Sequence, residues 1–167
     1  MAAIEVVLGD ITAQDVDAIV TAANESLLGG GGVDGAIHRA AGPRLAEAGA
    51  AIAPCEPGDA MATPAFDLYP PVRHVIHTVG PVWEGGSYGE AEVLASCYRR
   101  SLQVADTLGA RTLAFPAIAT GVYGFPPEQA AKIAVHTIRS TSTAVEQVRL
   151  VAFDQPTRDV LEAALNQ

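Results

Sequence analysis

Apolar and polar positions along this chain change period several times. Short, β-branched apolar runs at Ile4–Leu8, Asp17–Thr21, Arg73–Thr78, Thr112–Phe115 and Val148–Phe153, with a weaker one at Met61–Phe66, read as six strands. Elsewhere the period lengthens. Leu94, Cys97, Tyr98, Leu102, Ala105 and Leu108 recur at helical spacing within Gly89–Leu108, and Pro126-Pro127-Glu128 puts proline at the opening of another helix. A last helix carries Val160, Leu161, Ala164 and Leu165, and a shorter one follows the glycine run at 29–32. Strands that are apolar almost throughout must be covered on both faces. The expected fold is therefore α/β: a three-layer α/β/α sandwich around a mixed, largely parallel six-stranded sheet.

Composition narrows this picture. A chain of 167 residues with 49% hydrophobic content suits one domain spanning 1–167, with ample apolar material for a core. Two cysteines, Cys55 and Cys97, stand too far apart for a CxxC pair and read as buried thiols. No basic leader or long apolar segment is present, which points to a cytoplasmic protein without a membrane partner. The net charge of −9 disfavours bulk nucleic-acid binding, which works by neutralising phosphates. Nine of the ten basic residues are arginine, Lys132 being the single lysine.

Candidate chemistry concentrates in loops. In an open parallel sheet, ligands sit beyond the carboxyl ends of the strands. Three loops there stand out: Gly9-Asp10-Ile11-Thr12, the stretch NESLLGGGGVDGAIHRAAG at 24–42, and PAIATGVYGFP at 116–126. Four consecutive glycines are costly in conformational entropy unless the backbone must bend sharply or be approached closely, so the run asks for a ligand. Glycine-bearing strand-to-helix turns aim backbone N–H groups at anions. The glycine loop and its helix hold one basic residue, Arg39, and the 116–126 loop holds none, so a phosphate here would rest on amides. Gly30-x-Gly32-x-x-Gly35, with Glu56 about twenty residues on, formally matches a dinucleotide fingerprint. The context fails, because that fingerprint follows a first strand directly and Glu56 lies in the turn Pro54-Cys55-Glu56-Pro57-Gly58.

The motifs GDIT, VDAIVTAANESLLGGGGVDGAIHRAAG, VIHTVGPVW and ATGVYGFP, in that order, resemble the macrodomain family, and in particular its MacroD-like ADP-ribosyl hydrolase branch. The likeness runs from Ile4 to about Phe153, and Asn24 with Gly31-Gly32-Val33-Asp34 fits that branch's pattern N-x(6)-G-G-V-D. The resemblance implies an ADP-ribose site. Asp10 would accept from the adenine amino group beside the Ile11 amide; Asn24 would hold the distal ribose hydroxyls, with Ala23 among the substrate-binding residues; and Gly31, Gly32 and Val33 would bring amides to the diphosphate and distal ribose. Thr120, Gly121, Val122, Tyr123 and Gly124 would close over the diphosphate, and Phe153 would pack near the adenosine. Thr21 stands where the family usually has Asn, and Ala119 where it usually has Ser, so local support, affinity or turnover can differ.

The implied catalytic pair is Asn24 and Asp34. Asn24 would fix ribose hydroxyls without adding charge, and Asp34 would act as a base or hold the attacking water. The implied partners are ADP-ribose, ADP-ribosylated proteins and O-acetyl-ADP-ribose, acted on by a monomer; no metal and no cofactor is called for. Taken singly, Asp34 would be a helix-start residue, Asp10 a turn residue and Asn24 a loop cap. His38 reads as structural, His77 and Trp83 as sheet-edge and loop packing, and Tyr123 as a lid. Two other readings stand beside the hydrolase: an ADP-ribose binding module without turnover, and a hydrolase of ADP-ribose linked to a nucleic-acid base.

Overall fold

The computed structural model describes residues 2–167. Six strands form one sheet: β1 (Ala3–Leu8), β2 (Ala18–Ala22), β3 (Ala60–Pro64), β4 (His74–Thr78), β5 (Thr112–Phe115) and β6 (Gln147–Ala152), in the spatial order β1-β6-β5-β2-β4-β3. Every neighbouring pair is parallel except β3 with β4. Five helices cover it: α1 (Gly32–Ala41), α2 (Arg44–Ile52), α3 (Glu90–Thr107), α4 (Pro127–Ser140) and α5 (Gln155–Leu165). The expected sandwich is the observed one.

Period-2 alternation sorts the strand side chains into two cores. Ile19, Val75, Ala114 and Val151 pack with Ile37, Ala41 and Leu45 of α1 and α2. Val20, Ile76, Leu113, Phe115, Val148 and Leu150 pack on the other face with Leu94, Tyr98 and Leu102 of α3, Ala134 and Ile138 of α4, and Leu161 of α5. Cys55 and Cys97 are both buried. No helix among the described residues is long and apolar enough to cross a membrane.

Two sequence expectations need correction. Helix α2 was not expected, because Gly49 interrupts a short Ala-rich segment with a poor helix former. Gly49 is required by packing: a Cβ there would stand 2.3 Å from the Leu27 carbonyl oxygen, so the helix can settle under the glycine loop only without a side chain. His77 is not at a sheet edge. It lies on β4, between β2 and β3, and is fully buried, with Nε2 2.9 Å from Thr63 Oγ1.

Parallel topology places the loops after β1, β6, β5, β2 and β4 along one edge, in that order. From β1 to β2 is three strand spacings, roughly 14 Å.

Candidate functional site

The edge begins at Asp10. This residue caps a 3-10 turn (Ile11–Ala13), its Oδ1 accepting from Thr12 N at 2.9 Å and Thr12 Oγ1 at 2.7 Å. The cap fixes the loop and leaves the exposed carboxylate's second oxygen outside it, while Ile11 is buried against the α1 core. Phe153 follows the end of β6, beyond its last residue Ala152, and is 84% exposed.

The loop after β5 is built by local bonds. Ala119 adopts φ 69°, Gly124 N donates to Gly121 O at 3.0 Å, and Phe125 N donates to Ala119 O at 2.9 Å, so the backbone turns tightly over 119–125. Phe125 is buried as its anchor, Val122 is fully exposed at the tip, and Tyr123 is half-buried against the α3–α5 core. Thr120 Oγ1 donates to Ala117 O at 3.3 Å. The Ala119 side chain is turned inward: a Cβ on Gly80 would stand 3.1 Å from the Ala119 Cβ.

The glycine loop after β2 splits its glycines by job. A Cβ on Gly31 or Gly32 would meet nothing within 4 Å, so both face open space, and Gly32 adopts φ +60°. Gly35 lies inside: a Cβ there would stand 2.6 Å from the Gly30 carbonyl oxygen. Ala23 is buried, its N–H donating to Thr78 O at 2.8 Å. Asn24 staples the loop, Oδ1 accepting from Ser26 Oγ (2.8 Å) and Leu27 N (3.2 Å) while Nδ2 donates to Gly29 O at 3.1 Å. Helix α1 starts at Gly32 with no side-chain cap, leaving the first-turn amides toward the loop; Val33 belongs to this turn.

Asp34 belongs to the same turn, but its side chain points inward. It is 3% exposed, and its Oδ1 accepts from Thr21 Oγ1 at 2.7 Å. His38 Nε2, one turn on, stands 3.5 Å from the same oxygen. Asp34 Oδ2 has no hydrogen-bond partner among the described residues. It and Asn24 Nδ2 would lie 3.6 and 3.8 Å from a Cβ on Gly30, which brings the two side chains together under the loop. Burial lifts the Asp34 carboxyl above its ordinary range, and the Thr21 bond and nearby His38 offset only part of that rise. Beneath them, burial and the neighbouring His38 push His77 down to about 4.

The macro domain family profile matches residues 20–134, a stretch that holds the glycine loop, Asp34 and the loop after β5. This chain belongs to the macrodomain family. Among its relatives, the O-acetyl-ADP-ribose deacetylase of Klebsiella pneumoniae (strain 342) is 54% identical over 168 residues, covering 96% of this chain and 95% of that protein. A macro domain-containing protein of Chlorobaculum tepidum is also 54% identical, over 97% of this chain and 95% of its own length. Of the solved structures, the Oceanobacillus iheyensis macrodomain with ADP superposes with a TM-score of 0.92 at 40% identity, covering 98% of this chain and 90% of that one. The Trypanosoma brucei macrodomain in complex with ADP-ribose gives 0.87 at 37%, covering 97% and 68%.

Two residues that the sequence reading set outside the chemistry, Thr21 as local support and His38 as structural, both stand against Asp34. Thr21 supports Asp34 directly, by alternation sharing the α1 face of β2 with Ile19. His38 carries a visible signal, an i,i+4 relation to Asp34, which its apolar neighbours obscured.

Proposed function

We propose that this macrodomain binds ADP-ribose along the carboxyl edge of its sheet and hydrolyses esters at the distal ribose. The substrate class is O-acetyl-ADP-ribose or mono-ADP-ribose on acidic side chains of proteins. One observation carries the reading: Asn24 and Asp34 converge beneath Gly30, Asp34 with a buried, unpartnered oxygen among the described residues. The relatives that bear the deacetylase name support it.

The ligand would lie with adenine at Asp10, Ile11 and Phe153, diphosphate between Thr120–Gly124 and the amides of Gly31, Gly32 and Val33, and distal ribose at Ala23 and Asn24. Asn24 keeps one amide hydrogen beyond its bond to Gly29, enough to hold a ribose hydroxyl. Asp34 Oδ2 would hold the attacking water. Water adds to the acyl carbon, the bond from that carbon to the ribose oxygen breaks, and the water's proton passes by way of Asp34 to that oxygen. ADP-ribose and a free acid result. A carboxylate whose pKa is raised by burial is the better base for this step.

The test offers the protein O-acetyl-ADP-ribose, glutamate-linked protein ADP-ribose and thymidine-linked ADP-ribose in parallel. Release from one or both esters, and little from thymidine, is the expected result. Binding of ADP-ribose without release from any substrate would make it a binding module, and fastest release from thymidine would place it with the base-directed enzymes.

A further inference from the structure

The loop between β4 and α3, residues 79–89, stands next to the glycine loop on the same edge. It is built around a carboxylate. Glu90, the first residue of α3, is 3% exposed; its Oε2 accepts from Glu84 N and Gly86 N, both at 2.9 Å, and its Oε1 accepts from Tyr88 N at 2.7 Å. Burial alone would raise this carboxyl, but the amides of Glu84, Gly86, Glu90 and Tyr88 outweigh it and hold the pKa at about 2. The loop is therefore wound on a carboxylate that accepts three of its backbone N–H groups.

That winding fixes Trp83. A Cβ on Gly86 would stand 2.8 Å from the Trp83 ring, so Gly86 is the backbone against which the indole rests. The indole packs on Phe125 with centroids 4.7 Å apart, and Trp83 N donates to Tyr123 O at 2.8 Å. Phe125 and Tyr123 flank Gly124 in the loop proposed to close over the diphosphate. One chain of contacts thus runs from Glu90 through Trp83 to that loop.

We propose that Glu90 and Trp83 are positioning residues for the diphosphate, holding Gly121–Gly124 in its binding conformation before ligand arrives. The inference rests on the ADP-ribose reading above. Its physical content is preorganisation: a loop already fixed loses less entropy when it binds. The contribution falls on ligands that present a diphosphate and leaves the adenine end untouched.

ADP-ribose, ADP, AMP and adenosine titrated by NMR into wild type, Trp83→Ala, Trp83→Phe and Glu90→Gln give the test, with melting temperatures alongside. Trp83→Ala is expected to weaken ADP and ADP-ribose about tenfold while AMP and adenosine change no more than about twofold, and Trp83→Phe to recover most of the loss. Glu90→Gln, which removes the anion, should shift affinities in the same pattern to a smaller extent. Equal losses across all four ligands, or no loss in Trp83→Ala, would overturn the inference while leaving the functional reading intact. If Trp83→Ala does not fold, the same ratio read on Glu90→Gln decides: a diphosphate-selective loss supports the inference, and uniform or absent loss overturns it. Absence of ADP-ribose binding by wild type would instead sink the functional reading and this inference with it.

Discussion

Asp34 carries opposing demands. Its carboxylate is buried, holds one hydrogen bond from Thr21, and has a second oxygen unpartnered among the described residues, so the ionised form is disfavoured. A native pKa above the unfolded value means that the folded state binds more protons across that interval, and stability falls as pH rises through it. Wherever the buried carboxylate is ionised, its charge is a net burden. Asp34→Asn, which keeps the shape and removes the charge, should therefore melt at a higher temperature than wild type at pH 7, with the difference shrinking as pH falls toward 4. Thermal melts from pH 4 to 8 check this, and an Asn variant no more stable at pH 7 would contradict the burial argument. The resemblance to the pattern N-x(6)-G-G-V-D singled out Asp34 in the sequence. Its inward orientation was not visible, because a residue in the first turn of a helix faces the core or solvent according to how the helix sits on the sheet.

Glycine does two different things in the glycine loop and its supports. Gly35 and Gly49 are sites of close approach, letting the Gly30 and Leu27 carbonyls dock on α1 and α2, whereas Gly31 and Gly32 leave an open surface at the start of α1. Gly32 also needs its left-handed φ, which a β-branched residue adopts at a cost of about 1–3 kcal/mol. Gly32→Val should thus lose ADP-ribose binding through a side chain projecting into the cleft and lower the melting temperature by several degrees. Calorimetric titration and a melt test both at once; retained affinity would show that the ligand does not approach Gly32. The strands were legible to within two residues at each end, since apolar runs of this length have few other uses. Helix α2 was not, because the glycine that its packing requires is also the residue that weakens its local helical signal.

Charge is distributed over the whole molecule in a way that bears on the ligand. Arg44, Arg99, Arg100, Arg111, Arg149 and Arg158 each have a carboxylate partner within 4 Å, and the loops at 24–31 and 116–126 contain no lysine or arginine. On a chain of net charge −9, an anionic diphosphate must be held by backbone amides, the α1 terminus and shape, against an unfavourable field. Under the proposed function Asp34 adds to that field, so binding and turnover would make opposite demands on it. Paired measurement of the ADP-ribose dissociation constant and of single-turnover release from a glutamate-linked substrate, on wild type and Asp34→Ala, separates the two. The account predicts equal or tighter binding by the variant together with release slowed by roughly 10²–10⁴-fold, the range for a lost acid–base group; release at the wild-type rate would contradict it.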